Sequence, residues 1–176
     1  MASNKSVQPP VIPVLLAVFT LFSLLFNGAI FGFFYAWICS TMWGLDATDP
    51  KIAIAAMQAM NASVRNAVFA SVFFGTPLVL FVTAVLACVA TYRRAAVLYT
   101  LAGLVYLFGG IILTFNVNVP MNEALALIEI PLNAVEAKQI WQDYSAPWQT
   151  WNITRTIASG LALLLTGSAI LSLRRQ

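Results

Sequence analysis

The residues best able to do chemistry in this sequence are polar side chains at the ends of long hydrophobic runs. Four of them, spaced i, i+3, i+4 and i+7, open the last run: Trp148, Trp151, Asn152 and Arg155. This spacing predicts that they share one face of a helix. A fixed guanidinium in a dry site stabilises developing negative charge, while amides can orient a compound and indoles can stack on it. The pattern therefore predicts a site for a compound that becomes anionic.

Two other run ends carry groups of the same kind. Before the second run, Gln58, Asn61 and Arg65 are spaced i, i+3 and i+7, so we expect them on one helix face. At the end of the third run we expect the helix to break, because Pro120 cannot continue it and the asparagines beside it favour turns. In an antiparallel bundle these ends meet at one depth. The predicted pocket then gains two more amides: Asn118 and Asn122.

Each of these groups also has an ordinary role that the sequence leaves open. The tryptophans occur where an aromatic belt is expected at a membrane interface. Arg65 and Arg155 lie near a boundary, from which long side chains extend towards water. The asparagines could satisfy a broken helix end. Their concentration at one depth and on matching faces favours a functional pocket.

The composition predicts a membrane protein. Of the 176 residues, 61% are hydrophobic and 9% are charged, and the mean hydropathy is +0.86. Soluble domains are about 45–50% apolar and about 25% charged. A membrane span needs about 20 apolar residues, and four runs are long enough: about 11–39, 66–91, 95–115 and 150–173.

These runs predict an all-α fold, an up-down four-helix bundle with short helices in its outer loops. Residues 1–10 are expected to be a tail and 11–176 a single transmembrane domain. One short helix is predicted to start at Asp49-Pro50, since aspartate caps and proline suits a first turn. Another is predicted from Asn133 through about Tyr144, with a stop near Pro147.

The charges predict the topology. The basic residues at the ends of the runs lie on one side, and both acidic loops lie on the other. The positive-inside rule then places both termini in the cytoplasm of a multi-pass protein, which we expect in a bacterial inner membrane. The basic set is Lys5, Arg93, Arg94, Arg174 and Arg175, and the acidic set is Asp46, Asp49, Glu123, Glu129, Glu136 and Asp143.

Several classes of function are disfavoured. There is no histidine, which removes the commonest metal ligand and the commonest general base near neutral pH. The carboxylates are not paired at ligand spacing, so we expect no metal site and no cofactor. The basic residues form no stripe, so no nucleic acid is expected. Cys39 and Cys88 are predicted near opposite faces of the membrane and suggest no disulfide.

Three stretches of the chain resemble the anthrone oxygenase-like family of small membrane proteins, most of whose bacterial members are a domain of unknown function. Residues 57–76 carry the first likeness. Residues 115–125 resemble the family's N-x-P-x-N turn, and residues 141–156 resemble its W-x-x-W-N-x-x-R pattern. The likeness runs in order over roughly 15–173. The chain departs from the pattern at Ile153 and Thr154, where many members have a histidine.

The resemblance implies oxygenation of a polyketide anthrone to an anthraquinone, with oxygen and no known cofactor. A hydrophobic aromatic or quinone-like compound would enter from the lipid bilayer. Arg155 and Arg65 would then stabilise an enolate, and Glu123 is the best available base. The remaining pocket residues would orient the compound or stack on it: Gln58, Asn61, Asn118, Asn122, Asn152, Trp148 and Trp151.

Two other functions stay open at this point. The chain could be a non-catalytic subunit or assembly factor that meets protein partners in a larger membrane complex. It could also bind or carry a small hydrophobic ligand or lipid without turnover. An ion-coupled transporter is disfavoured, because no acidic residue lies within a predicted span.

Overall fold

The computed structural model describes residues 11–131 and 133–173; the predicted tail and the terminal Arg174 and Arg175 lie outside the described residues. Five helices and no strand occupy the described ranges. They are α1 (Val11–Asp46), α2 (Pro50–Ser63), α3 (Ala67–Val89), α4 (Arg93–Ala126) and α5 (Ala134–Leu171).

Four of these helices, α1, α3, α4 and α5, are long and apolar enough to cross a membrane. Each packs antiparallel against two neighbours, in the cyclic order α1, α3, α4, α5. The predicted all-α membrane bundle is therefore confirmed. Buried aromatic and aliphatic side chains fill its centre, among them Phe34, Leu80, Tyr99 and Tyr106.

Small polar groups inside the bundle pair across the helices. The hydroxyls of Ser23 and Thr83 lie 2.8 Å apart, and the Asn27 amide donates to the Ser23 carbonyl at 2.8 Å and to the Thr166 hydroxyl at 3.4 Å. Asn27 is thus an interhelical contact in the middle of the bundle. Such pairs join transmembrane helices, since lipid offers polar groups no other partner.

A second apolar cluster lies beyond one end of the bundle, where the helices extend past it. We call this part the cap (residues 42–63, 119–131 and 133–149). The carboxylate of Asp46 ties α1 to α5 here, because it accepts hydrogen bonds from Trp141 at 2.9 Å, Ser145 at 2.7 Å and Gln149 at 2.9 Å. The buried residues of the cap are Met42, Ala53, Ile54, Met57, Leu125, Ala137, Trp141, Tyr144 and Trp148.

The helix break predicted at Pro120 is wrong. α4 continues to Ala126 through two π-helical stretches, Leu107–Ile112 and Thr114–Asn118, followed by an α-helical segment that begins at Val119. Pro120 lies in the first turn of that segment, where its missing N–H costs little.

The stop predicted near Pro147 is also wrong, and the first helix extends past the end of the first hydrophobic run at about residue 39. α5 runs unbroken for 38 residues, a length of about 57 Å, whereas a hydrocarbon core is about 30 Å thick. Its first half belongs to the cap, where Tyr144 and Trp148, on either side of Pro147, both pack in the apolar cluster and hold the helix together. α1 likewise continues to Asp46 through a π-helical turn at Trp37–Thr41.

The close packing of α4 against α5 at Gly109 predicts that a larger residue there lowers the stability of the protein. A Cβ added at Gly109 of α4 would collide with the Cβ of Ala158 in α5, whereas one added at Gly28 would meet nothing within 4 Å. We expect Gly109→Ala to lower the free energy of unfolding by about 1–3 kcal/mol through overpacking. Gly28→Ala is the matched control, since it carries the same change in helix propensity. Thermal unfolding in detergent measures both, and equal melting temperatures would contradict the packing described.

Candidate functional site

A cavity of about 450 Å³ lies where the bundle meets the cap. Eight aromatic side chains line it, and a few polar groups project from α2, α4, α5 and the junction of α2 with α3. The residues that line it are Phe33, Phe34, Trp37, Met60, Asn61, Val64, Arg65, Asn66, Phe69, Ala70, Phe73, Phe74, Thr114, Phe115, Val119, Asn122, Glu123, Trp148 and Arg155.

Arg155 is the buried cation of this cavity. Its side chain is 6% exposed and lies between two aromatic rings, with the guanidinium carbon 4.7 Å from the ring centre of Phe34 and 5.4 Å from that of Trp148. No carboxylate of the described residues is within ion-pair distance of it. A buried charge without an opposite charge is costly, so Arg155 is the most unusual charged group of the described chain.

Two neutral groups hold the guanidinium in place. Nη2 donates to Asn152 Oδ1 at 2.8 Å, and Nη1 donates to Thr114 Oγ1 at 3.3 Å. Both acceptors are fixed in turn, because Asn152 donates to the Phe34 carbonyl at 3.2 Å and Thr114 donates to the Gly110 carbonyl at 2.6 Å. The Nε atom has no partner in the described part of the chain. Arg155 therefore presents a fixed cation with unused hydrogen-bonding capacity.

Asn122 presents a second fixed donor. Its Oδ1 accepts from the Tyr144 hydroxyl at 2.7 Å and from Trp148 Nε1 at 2.9 Å. An indole nitrogen only donates, so the atom facing it must be the amide oxygen. The amide nitrogen bonds no described residue and therefore remains available as a donor on a side chain that lines the cavity. Asn61 adds a contact to the Tyr144 hydroxyl at 3.4 Å.

Tyr144 is the residue of this network that sequence reasoning missed. It lies on the buried face of α5 one turn before Trp148, in the series Tyr144, Trp148, Asn152 and Arg155. The spacing was visible in the sequence. The helix stop expected near Pro147 separated Tyr144 from the other three.

Arg65 and Glu123 meet at the rim of the cavity. The Arg65 guanidinium donates to the Glu123 carboxylate at 3.4 Å, and their side chains are 58% and 57% exposed. An exposed ion pair contributes at most about 1 kcal/mol. The pair joins the junction of α2 with α3 to α4.

Four residues of the predicted pocket do not line the cavity: Asn152, whose hydrogen bond to Arg155 is described above, and Gln58, Trp151 and Asn118. Gln58 donates to the carbonyls of Leu125 and Ile128 at 2.8 and 2.9 Å and thereby fastens α2 to the end of α4. Trp151 is 39% exposed, so it does not share the buried face of Trp148 and Arg155. Asn118 is buried, and neither atom of its amide has a partner among the described residues.

The positions where the family pattern has a histidine also lie outside the cavity. Ile153 is 44% exposed, and the exposed Thr154 donates to the Thr150 carbonyl one turn earlier. A side chain at either position would face away from Arg155. Within the described ranges, no three His, Cys, Asp or Glu side chains come together as metal ligands, so no residue is assigned to a metal.

The fold and cavity define a class: a four-helix membrane protein with an aromatic cavity around a buried cation. A comparison with family models gives the particular family. The model described as anthrone oxygenase matches residues 66–165, which is more than half of the chain, so the protein belongs to that family. No curated protein and no solved structure matches it.

The hydrogen bonds to Asn122 predict that truncation of this side chain lowers the stability of the protein. Asn122→Ala removes two hydrogen bonds and leaves buried donors on Tyr144 and Trp148, so we expect it to cost about 2 kcal/mol. Asn116→Ala is the control, because that exposed amide bonds only the Ile112 carbonyl of its own helix. Thermal unfolding in detergent gives the comparison. A melting temperature of Asn122→Ala no lower than that of Asn116→Ala would show that the network does not hold the site.

Proposed function

We propose that this protein binds a flat aromatic carbon acid of the anthrone type in its cavity and oxygenates it without a cofactor. The observation that carries the proposal is the buried Arg155 guanidinium, which has aromatic rings around it and no carboxylate partner in the described chain. An enolate of a fused-ring compound supplies both the negative charge and the flat apolar surface that such a site favours.

The cavity suits such a compound in size and lining. Its volume of about 450 Å³ lies within the range of about 300–1,000 Å³ that small-molecule sites occupy. Phe33, Phe69 and Phe73 form one aromatic wall, with ring centres 4.8 and 5.1 Å apart along the series. Arg155 and Asn122 supply the polar donors. The donors would therefore meet the oxygen of the compound while the rings contact its flat body.

The reaction needs little from the protein beyond charge and position. A carboxylate, for which we propose Glu123, takes a proton from the ring CH₂ group, and the enolate oxygen accepts hydrogen bonds from Arg155 and Asn122. The enolate carbon then gives an electron to O₂, the two radicals combine into a peroxide anion, and this anion takes the proton back from Glu123 to give a hydroperoxide. Loss of water leaves a second carbonyl. In sum, anthrone and O₂ give anthraquinone and water.

The roles of the other predicted residues follow from their contacts. Asn152 and Thr114 would fix the Arg155 guanidinium as a hydrogen-bond donor to the enolate. Asn122 would be held by Tyr144, Asn61 and Trp148. Arg65 would position the Glu123 carboxylate at the rim. Within this proposal Gln58 fastens the cap, and Trp151 is a boundary residue.

A second candidate is a binder that holds the same compound without turnover. It is favoured by one observation: Glu123, the carboxylate among the described lining residues, is exposed and already paired with Arg65. Glu123→Gln separates the two candidates. An enzyme that uses this base loses turnover and keeps its ligand, whereas a binder shows no turnover in either form. The role of a non-catalytic subunit stays a hypothesis.

We also propose that both termini are cytoplasmic and that the cap lies on the opposite side of the membrane. The exposed Arg93 and Arg94 at the turn between α3 and α4 support this orientation, since the cap carries the acidic residues. We propose a bacterial inner membrane as its location.

Removing the cation tests the proposed function. We expect Arg155→Gln to lower the rate of anthraquinone formation about 10²–10³-fold, as loss of a preorganised donor to an oxyanion does. Oxygen uptake and quinone absorbance are measured with purified protein and anthrone in nanodiscs. Arg94→Gln removes the same charge at an exposed position at the start of α4 and should leave the rate unchanged. Wild-type protein without turnover, or a folded Arg155→Gln variant with the full rate, would contradict the proposal.

A further inference from the structure

Helices α3 and α4 separate beside the cavity. They pack closely from their shared turn as far as the first π-helical stretch, Leu107–Ile112. Beyond it, no Cα atom of α3 lies within 8 Å of any Cα atom in Thr114–Ala126. The π-helical turns of α4 coincide with this departure, and such turns commonly occur at functional sites. The result is a wedge-shaped gap, which we define as the space between Ala67–Phe74 and Thr114–Glu123.

One pair of side chains bridges this gap, and a second pair closes its end towards the cap. Phe74 of α3 stacks on Phe115 of α4, with ring centres 6.1 Å apart and planes at 25°. Nearer the cap, Arg65 contacts Glu123 at 3.4 Å. All four residues line the cavity. The wall of the cavity at the gap is therefore made of movable side chains and not of packed backbone.

The aromatic pair faces the lipid side of the bundle. Phe74 and Phe115 are each 50% exposed. The helix surfaces on either side of them are apolar and exposed, with Leu78 and Phe108 at 64% and 61%. In a membrane protein such a surface contacts acyl chains. One side of the Phe74–Phe115 pair thus meets lipid while the other meets the cavity.

We propose that this gap is the entrance through which the substrate passes from the bilayer into the cavity, with Phe74 and Phe115 as the residues that control access. The inference rests on the proposed function for the identity of the substrate. That substrate must be apolar enough to dissolve in lipid and flat enough to pass between two rings. Rotation of two exposed phenylalanine side chains opens the gap without breaking a backbone hydrogen bond. The buried Arg155 then meets the ionisable end of the compound.

The competing route runs from the aqueous side through the Arg65–Glu123 pair. The two routes make opposite predictions for the rate at which an apolar reagent reaches the cavity. A cysteine that lines the cavity reports that rate, and Ala70→Cys is suitable because the half-buried Ala70 lies in the wall. The exposed Cys39 and Cys88 are first replaced by serine.

The experiment measures labelling of Ala70→Cys by a lipid-soluble pyrene maleimide in nanodiscs. We expect Phe74→Ala to raise the labelling rate severalfold, because it removes half of the aromatic pair. Phe108→Ala is the matched control, since this exposed phenylalanine of α4 does not line the cavity, and it should leave the rate unchanged. Arg65→Gln opens the other route and should also leave the rate unchanged.

An acceleration by Arg65→Gln without one by Phe74→Ala would overturn the proposal and place the entrance at the cap. Equal rates in Phe74→Ala and its control would overturn it as well. The measurement uses no substrate, so its result stands apart from the proposed oxygenation. If turnover is absent and Phe74→Ala still accelerates labelling, the proposed function fails while the entrance remains.

Discussion

The position of one guanidinium constrains the rest of this site. Arg155 is buried in a helix that crosses the membrane, and no carboxylate of the described chain pairs with it. The protein instead surrounds it with dipoles and ring faces: the amide oxygen of Asn152, the hydroxyl of Thr114 and the rings of Phe34 and Trp148. These neutral groups leave the positive charge uncompensated. An anion therefore binds more favourably beside this guanidinium than it would beside an arginine already paired with a carboxylate.

The cap makes that arrangement possible. It consists of α2 and the ends of α1, α4 and α5 that extend beyond the bundle, and its apolar cluster fixes the Tyr144 and Trp148 part of α5 against α1, α2 and α4. Tyr144 and Trp148 of α5 then orient Asn122 of α4, so the second donor of the site depends on the packing of the cap. The π-helical turns of α4 move its last three turns away from α3. Together these features create an aromatic cavity beside a buried charge, where the bundle meets the cap.

Hydropathy and residue spacing predicted much of this structure, since both reflect the energetics of burial in lipid. They gave the membrane-spanning helices and the shared face of Trp148, Asn152 and Arg155. They failed at Pro120 and Pro147, because the cost of a proline is local while its compensation comes from π-helical turns and from tertiary packing of the cap. Trp151 was placed on the buried face and Tyr144 was missed for a related reason. The eight residues from Trp148 to Arg155 define one helix face, but they do not show which side of that face is buried. The residues before Pro147 were needed to show it, and they were assigned to a separate helix.

The protonation state of bound anthrone shows directly whether the cavity stabilises the anion of an aromatic carbon acid. Anthrone is titrated anaerobically into the protein in nanodiscs at neutral pH, and the absorbance distinguishes the neutral compound from its red-shifted enolate. Without oxygen the anion accumulates and is not consumed. We expect a stoichiometric enolate band with the wild-type protein and none with Arg155→Gln. Anthrone that binds to the wild-type protein and stays neutral would show that the cavity does not stabilise the anion.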